Sequence, residues 1–298
     1  MLLSLSVGLP SLAPLAFAQP TSSAPARGKY FDQVVIVVLE NQGTKEALAD
    51  PNIASLVKGG AWFSNYHGLA HPSLPNYLAI VAGSTFGVTR DHLAAPLKAP
   101  SIVDRLEQKS LTWKAYAEDY PGGCFLGNEA GEGHLTPQAK ATDIYVKRHV
   151  PLLQFASIQN DPARCARVVN AREFMRDARA GHLPNYSFYT PNVFNDGHDT
   201  SLATSSAWLV RFVQSFRGTL GMHQRTLLVV TWDEGGEEDY HHNQVLTIFL
   251  GDVVSPGRYD SNLTHYSLLR TIEDNFGLER LADGDRHAPA IPSRVWRD

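Results

Sequence analysis

The sequence is poor in sulfur, with two cysteines and three methionines in 298 residues. Two cysteines form at most one bridge, so this is no disulfide-built scaffold. No charge dominates either: 26 Lys+Arg stand against 30 Asp+Glu, for a formal net charge of −4. That balance, with no basic run, argues against a nucleic-acid partner. After residue 20 no apolar stretch reaches the ~18 residues that a membrane helix needs. There is no internal repeat and no low-complexity tract, and the composition is not that of a collagen or a coiled coil. What is present is 43% apolar residues, enough for a packed core and too many for disorder. The length admits one α/β domain, or two domains of ~150 residues each.

Residues 1–18 are uncharged and apolar and end in Ala16-Phe17-Ala18, a small-x-small cleavage pattern. They predict a secretory signal, with residues 19–29 as a flexible lead and 30–298 as the domain. A secreted or periplasmic protein follows, and with it an expected disulfide between Cys124 and Cys165. Two buried thiols are the alternative.

Val34–Leu39 is a continuous β-branched run, long enough for a strand and too short for a helix. Thr226–Trp232 and Val245–Leu250 read the same way, and Tyr186–Tyr189 and Thr112–Ala117 are weaker strands. Such runs are buried on both faces, as in a parallel sheet covered by helices. Ile102–Lys109 opens with Ser101 and Asp104 as a capping box. Further helical patterns cover Ala171–Ala180, Thr204–Phe216 and Ser267–Phe276, with Gly218 and Gly277 at C-cap positions. Strands alternating with helices predict a single α/β domain with a mostly parallel central sheet flanked by helices. Residues 118–165 show little periodicity and read as a long insertion carrying Cys124.

In open α/β sheets ligands bind beyond the carboxyl ends of the strands. Two strands here run into acidic pairs or near-pairs, Glu40-Asn41 and Asp233-Glu234. Oxygen ligands from two strand ends can converge on one cation; solvated capping residues are the alternative. Asp233–Asp239 holds five acids in seven residues, of which only the first two adjoin the strand; the rest are assigned to solvent. In His71–Gly83, Pro75 suits the first turn of a helix and places Ser73 just before it. Ser73 is then either a capping hydroxyl or a nucleophile at a helix terminus able to cradle phosphate. Pro191–Asp199 gathers Asn195, Asp196, His198 and Asp199, and a histidine beside a carboxylate suits general acid catalysis. The adjacent His241 and His242 are weaker candidates for metal or phosphate contact.

These segments together carry a resemblance. VVLEN, HPSLPNYLAIVAG, N-D-x-H-D, TWDEGG and HYSLLRTIEDNFGL occur in that order. In this they resemble the bacterial phosphoesterase family of secreted acid phosphatases and phospholipases C, from about residue 31 to 281. The resemblance implies an alkaline-phosphatase-like fold and a phosphoric ester hydrolase with one divalent metal ion, Ca, Mg, Mn or Zn. Glu40, Asn41, Ser73, Asp233 and Glu234 would be the metal ligands. Ser73 would also be the nucleophile and His198 the acid for the leaving group. His71, Asn76, Asp199 and Asn243 would contact substrate, and His265 falls in a family motif without an assigned role. The Ser-x-Pro-Asn run is also similar to the Thr-x-Pro-Asn segment of nucleotide pyrophosphatases, whereas the arginine of the sulfatase motif is missing. The short length resembles the acid phosphatase branch. The expected activity is therefore hydrolysis of phosphate monoesters, on a small phosphate ester or a phospholipid-type substrate. A phosphodiesterase or phospholipase C would need an acyl groove, which Trp62–Tyr66 and Phe188–Phe194 could line unless they are core. A catalytically silent cation-binding surface protein is the reading from another class.

Overall fold

The VVIVVL run becomes a strand whose seven residues, Gln33–Leu39, are all buried. The computed structural model describes residues 27–131, 144–236 and 240–297. The expected signal at 1–18, most of the lead at 19–29, and Glu237, Glu238 and Asp239 lie outside the described residues. At Gly28 and Lys29 the chain is already bonded to the domain, through Asp32 and the carbonyl of Asn275.

Eight strands form the main sheet: β1 (Gln33–Leu39), β2 (Ala61–Phe63), β3 (Trp113–Ala117), β4 (Val168–Asn170), β5 (Tyr186–Thr190), β6 (Thr226–Trp232), β7 (Thr247–Leu250) and β8 (Gly257–Tyr259). Their spatial order is β8-β2-β7-β6-β1-β5-β3-β4. From β6 across to β4 all pairings are parallel. β7 runs antiparallel to both β6 and β2, and β8 is parallel to β2. The sheet is thus α/β and mostly parallel, as expected. The run Val245–Leu250 differs from its expected form, because its strand starts at Thr247 and points the opposite way. An unbroken apolar run reports burial on two faces; strand direction depends on the connection, and here the chain returns beside β6, which it pairs antiparallel.

Five helices matter for the site: α1 (Ser73–Ala82), α2 (Ile102–Gln108), α3 (Arg172–Ala180), α4 (Leu202–Arg217) and α5 (His265–Phe276). All ten residues of α1 are buried, as its nearly all-apolar sequence demands, and it packs against α5. The Ser101–Asp104 capping box opens α2. Gly277 ends α5 in the left-handed region at φ 63°, a conformation glycine adopts without a Cβ clash. Among the described residues no helix is long and apolar enough to cross a membrane.

In the aperiodic stretch 118–165 the described residues form short strands, 3-10 turns and one-turn helices. Cys124 and Cys165 close it as a disulfide with a Cα–Cα distance of 5.5 Å.

Candidate active site

β5, β1 and β6 are neighbours, so their carboxyl ends open side by side. Leu39 pairs in register with Trp232, which sends Glu40 and Asp233 off the sheet together. The loop after β5 joins them: Glu40 N donates to Asp196 O at 3.1 Å, and Asp233 N donates to Leu39 O at 3.1 Å. Asn41 adopts φ 52°, a left-handed turn that asparagine tolerates, and its N–H donates to Asp233 Oδ1 at 3.4 Å.

Ser73 arrives from another direction. It was expected just outside its helix, but α1 begins at Ser73 itself, with Pro72 as N-cap. Its Oγ donates to Glu40 Oε2 at 3.0 Å, and the residue is 2% exposed. The Tyr77 hydroxyl, one turn further on, donates to the other Glu40 oxygen. Leu74 N donates to Asp91 Oδ1 at 3.0 Å, so that helix-terminal amide already has an anionic partner.

The electrostatics are those of crowded, buried acids. Burial, reinforced by Asp233 and Asp196, pushes Glu40 well above the usual carboxylate range. Burial raises Asp233 to about 7 against opposing hydrogen bonds from Ser73 and backbone amides. Glu234 rises to about 9, through burial and then the charges of Asp233 and Asp91. Asp196 is also pushed well up, chiefly by burial. Asn41 Oδ1 and Asp233 Oδ2 are buried acceptors without a hydrogen-bond partner. Converging carboxylates with orphaned oxygen acceptors fit a divalent cation, which would neutralise the repulsion and satisfy those oxygens. Glu40, Asn41, Ser73, Asp233 and Glu234 lie close together here.

Two groups escaped the sequence reading. His149, from the disulfide-closed segment, places Nε2 at 3.3 Å from Glu40 Oε1 and Nδ1 at 3.1 Å from Asp196 Oδ2. Glu40, His149 and Asp196 offer ligand atoms within 4.8 Å of one another. His149 stacks on Tyr77 at 5.1 Å. Nothing in the local pattern around His149 signals this; Asp196 was in view within N-D-x-H-D but had no assigned role.

The remaining expected residues divide into those in the cleft and those behind it. A cleft of about 880 Å³ is lined by Asn41, His71, Pro72, His198, Glu234 and Tyr240, among others. His71 Nδ1 lies 3.0 Å from Glu234 Oε2, and its ring stacks on Tyr240 at 4.1 Å. His198 Nδ1 lies 2.6 Å from Asp199 Oδ1, and its Nε2 lies 3.4 Å from an Arg148 guanidinium nitrogen. Arginine only donates, so Nε2 accepts and the imidazole proton sits on Nδ1, bonded to Asp199. Asn76 is fully buried: its carbonyl accepts from Leu69 N and Ala70 N at 2.8 and 3.1 Å, and its amide donates to Ala70 O at 2.8 Å. Asn243 accepts from Gly235 N at 2.7 Å and donates to Ala70 O at 3.3 Å. These two amides are engaged in holding the loops of the site. His265 also works from behind: Nε2 donates to Asp233 O at 2.6 Å, and burial lowers its pKa to about 4. His241 and His242 are exposed. Phe63, Tyr66, Phe188 and Tyr189 belong to the core, so these segments supply packing where an acyl groove was the other option.

Comparison with known proteins agrees with this geometry. A Penicillium chrysogenum phosphate-repressible acid phosphatase is 32% identical over 264 residues, 87% of this chain and 62% of that protein. The chain thus spans less than two thirds of the length of that relative. A Mycobacterium tuberculosis phosphatidylinositol-3-phosphatase is 33% identical over 274 residues, 90% of this chain and 84% of that one. A solved Vibrio parahaemolyticus protein of the alkaline phosphatase superfamily shares the fold, with TM-score 0.57, 14% identity, and coverage of 89% of this chain and 72% of the other. The family model described as Phosphoesterase family matches residues 46–279, which takes in Ser73, Asp196, His198, Asp233 and Glu234. With residues 46–279, most of its length, matched, the chain belongs to the phosphoesterase family.

Proposed function

We propose that this protein is an exported, metal-dependent phosphatase that hydrolyses phosphate monoesters through a phosphoserine on Ser73. One observation carries the reading: a buried serine hydroxyl at a helix N-terminus donates to Glu40, where strand ends gather Asn41, Asp233 and Glu234. Glu40, Asn41, Ser73, Asp233 and Glu234 would hold the divalent ion. When bound, it would acidify the serine hydroxyl and offset charge on the phosphoryl oxygens.

Glu40 orients the nucleophile, because accepting from Oγ aims the hydroxyl and leaves an oxygen lone pair for the substrate. Tyr77 fixes Glu40 from its other oxygen, with His149 Nε2 3.3 Å away from the same atom. As Ser73 Oγ attacks phosphorus, its proton leaves along the hydrogen bond to Glu40; the Oγ–P bond forms and the ester P–O bond breaks. His198 faces the cleft and would give the leaving oxygen its proton, once Nε2 carries one. Water then attacks the phosphoserine, releasing phosphate and restoring Ser73. Core placement of the aromatic segments favours a monoester over a phospholipase C substrate. The name of the mycobacterial relative adds phosphoinositides to the monoesters worth testing.

The test compares hydrolysis of p-nitrophenyl phosphate and p-nitrophenylphosphorylcholine, with and without chelator, by the wild type and Ser73→Ala. Turnover of the monoester should dominate, vanish with chelator, and fall at least ~10³-fold in Ser73→Ala, as expected for loss of a nucleophile. A normal kcat in that variant sinks the phosphoserine route. Preferential cleavage of the choline diester would favour a phospholipase C. Metal-raised melting without any cleavage would favour a silent cation-binding protein.

A further inference from the structure

A monoester dianion entering this cleft meets Glu234 on its wall and approaches the buried Glu40, Asp196 and Asp233 behind it. One divalent ion offsets only part of that charge. The helix N-terminus, an ordinary anion grip, is committed at Leu74 N to Asp91. Further positive charge comes from Arg148.

Arg148 adjoins His149, whose Nδ1 bonds Asp196 and whose ring stacks on Tyr77. The disulfide-closed segment therefore holds a guanidinium beside the cleft, in a neighbouring depression with Asp91 and Lys147, where it meets His198 of the cleft wall. One terminal nitrogen reaches His198 Nε2 at 3.4 Å, and Nε is buried without a partner. Among the described residues no carboxylate pairs with it. A half-buried guanidinium with five donors and no anion is under-satisfied. Its charge nonetheless reaches the centre: it opposes the rise that burial imposes on Asp196 and adds to the fall that burial imposes on His149.

We propose that Arg148 binds the phosphoryl group of the substrate, and that its charge favours dianionic monoesters over monoanionic diesters. This rests on the phosphatase reading and adds a specificity residue to it. The planar guanidinium fork matches two phosphoryl oxygens, which an ammonium does not. Attraction to a dianion exceeds that to a monoanion at the same distance. His198 becomes the residue that braces Arg148 in the free enzyme, through Nε2.

The test measures KM and kcat for p-nitrophenyl phosphate and bis-p-nitrophenyl phosphate, and the Kd of orthophosphate by calorimetry, for wild type, Arg148→Gln and Arg148→Lys. Loss of one charge-assisted grip should raise the monoester KM and the orthophosphate Kd about tenfold to hundredfold in Arg148→Gln. The diester kcat/KM should fall no more than about threefold, and Arg148→Lys should recover part of the loss. Equal losses on both esters, or unchanged orthophosphate binding, would overturn the proposal. If Arg148→Gln does not fold, the lysine variant decides: orthophosphate binding within about twofold of wild type refutes a forked grip. A wild type that binds orthophosphate but hydrolyses no monoester refutes the phosphatase reading alone, because the binding arm still judges Arg148.

Discussion

Removing the divalent ion should make stability depend on pH in a particular direction. A carboxyl whose folded pKa exceeds its unfolded one is protonated in the fold and ionised in the open chain between those two values. The native state then binds more protons, so stability falls as pH rises, by about 1.4 kcal/mol per unit and group. In the metal-free fold Asp233 sits at about 7 and Glu234 at about 9. Burial lowers His149 and brings His265 to about 4, against an ordinary 6.5. These histidines work in the other direction below pH 6.5, since they take up protons on unfolding. The clean window is therefore pH 6.5 to 9. Across it Glu234 and Asp233 together should cost the chelated protein about 4 kcal/mol. For a domain of this size that is about 7 °C in melting temperature. Glu273, buried and raised to about 9 next to Arg280, adds a slope that metal does not remove. Thermal melts with chelator and with excess divalent ion, at both ends of the window, read the difference. The gap between the two preparations should widen by about 7 °C towards pH 9. A gap that is constant or narrows with pH would refute the assignment of Asp233 and Glu234 as a cation's ligands.

Two further outcomes follow. His198→Ala should slow alkyl phosphates at least ~10-fold more than p-nitrophenyl phosphate if His198 protonates the leaving oxygen; a matching KM rise on both, read in steady-state assays, assigns it to bracing Arg148 instead. Breaking the Cys124–Cys165 bridge, which spans 41 positions, should cost about 4 kcal/mol by the chain-entropy relation and raise the monoester KM, because the freed segment carries Arg148 and His149. Denaturant midpoints and kinetics of Cys124→Ser/Cys165→Ser check this, and an unchanged KM would separate the bridge from the site.

The sequence by itself determined the α/β class and the two strand ends that matter. β-branched runs ending in Glu40-Asn41 and Asp233-Glu234 leave little other choice, because apolar strands buried on both faces must release their polar residues at the edge. It also placed Ser73 within one residue of a helix start, because Pro75 suits a first helical turn; the structure begins the helix at Ser73 itself. Tertiary structure decided the rest. The reversed direction of β7 is a matter of loop connection, which hydrophobic pattern does not encode. Asn76 and Asn243 look like substrate contacts in a motif, but their amides turn out to be satisfied by the carbonyl of Ala70 and neighbouring backbone. Arg148 and His149 belong to a stretch without periodicity. Only a disulfide and a folded insertion bring them to Glu40, some hundred positions away in the chain, because side chains separated in sequence acquire a common electrostatic environment only after the chain has packed.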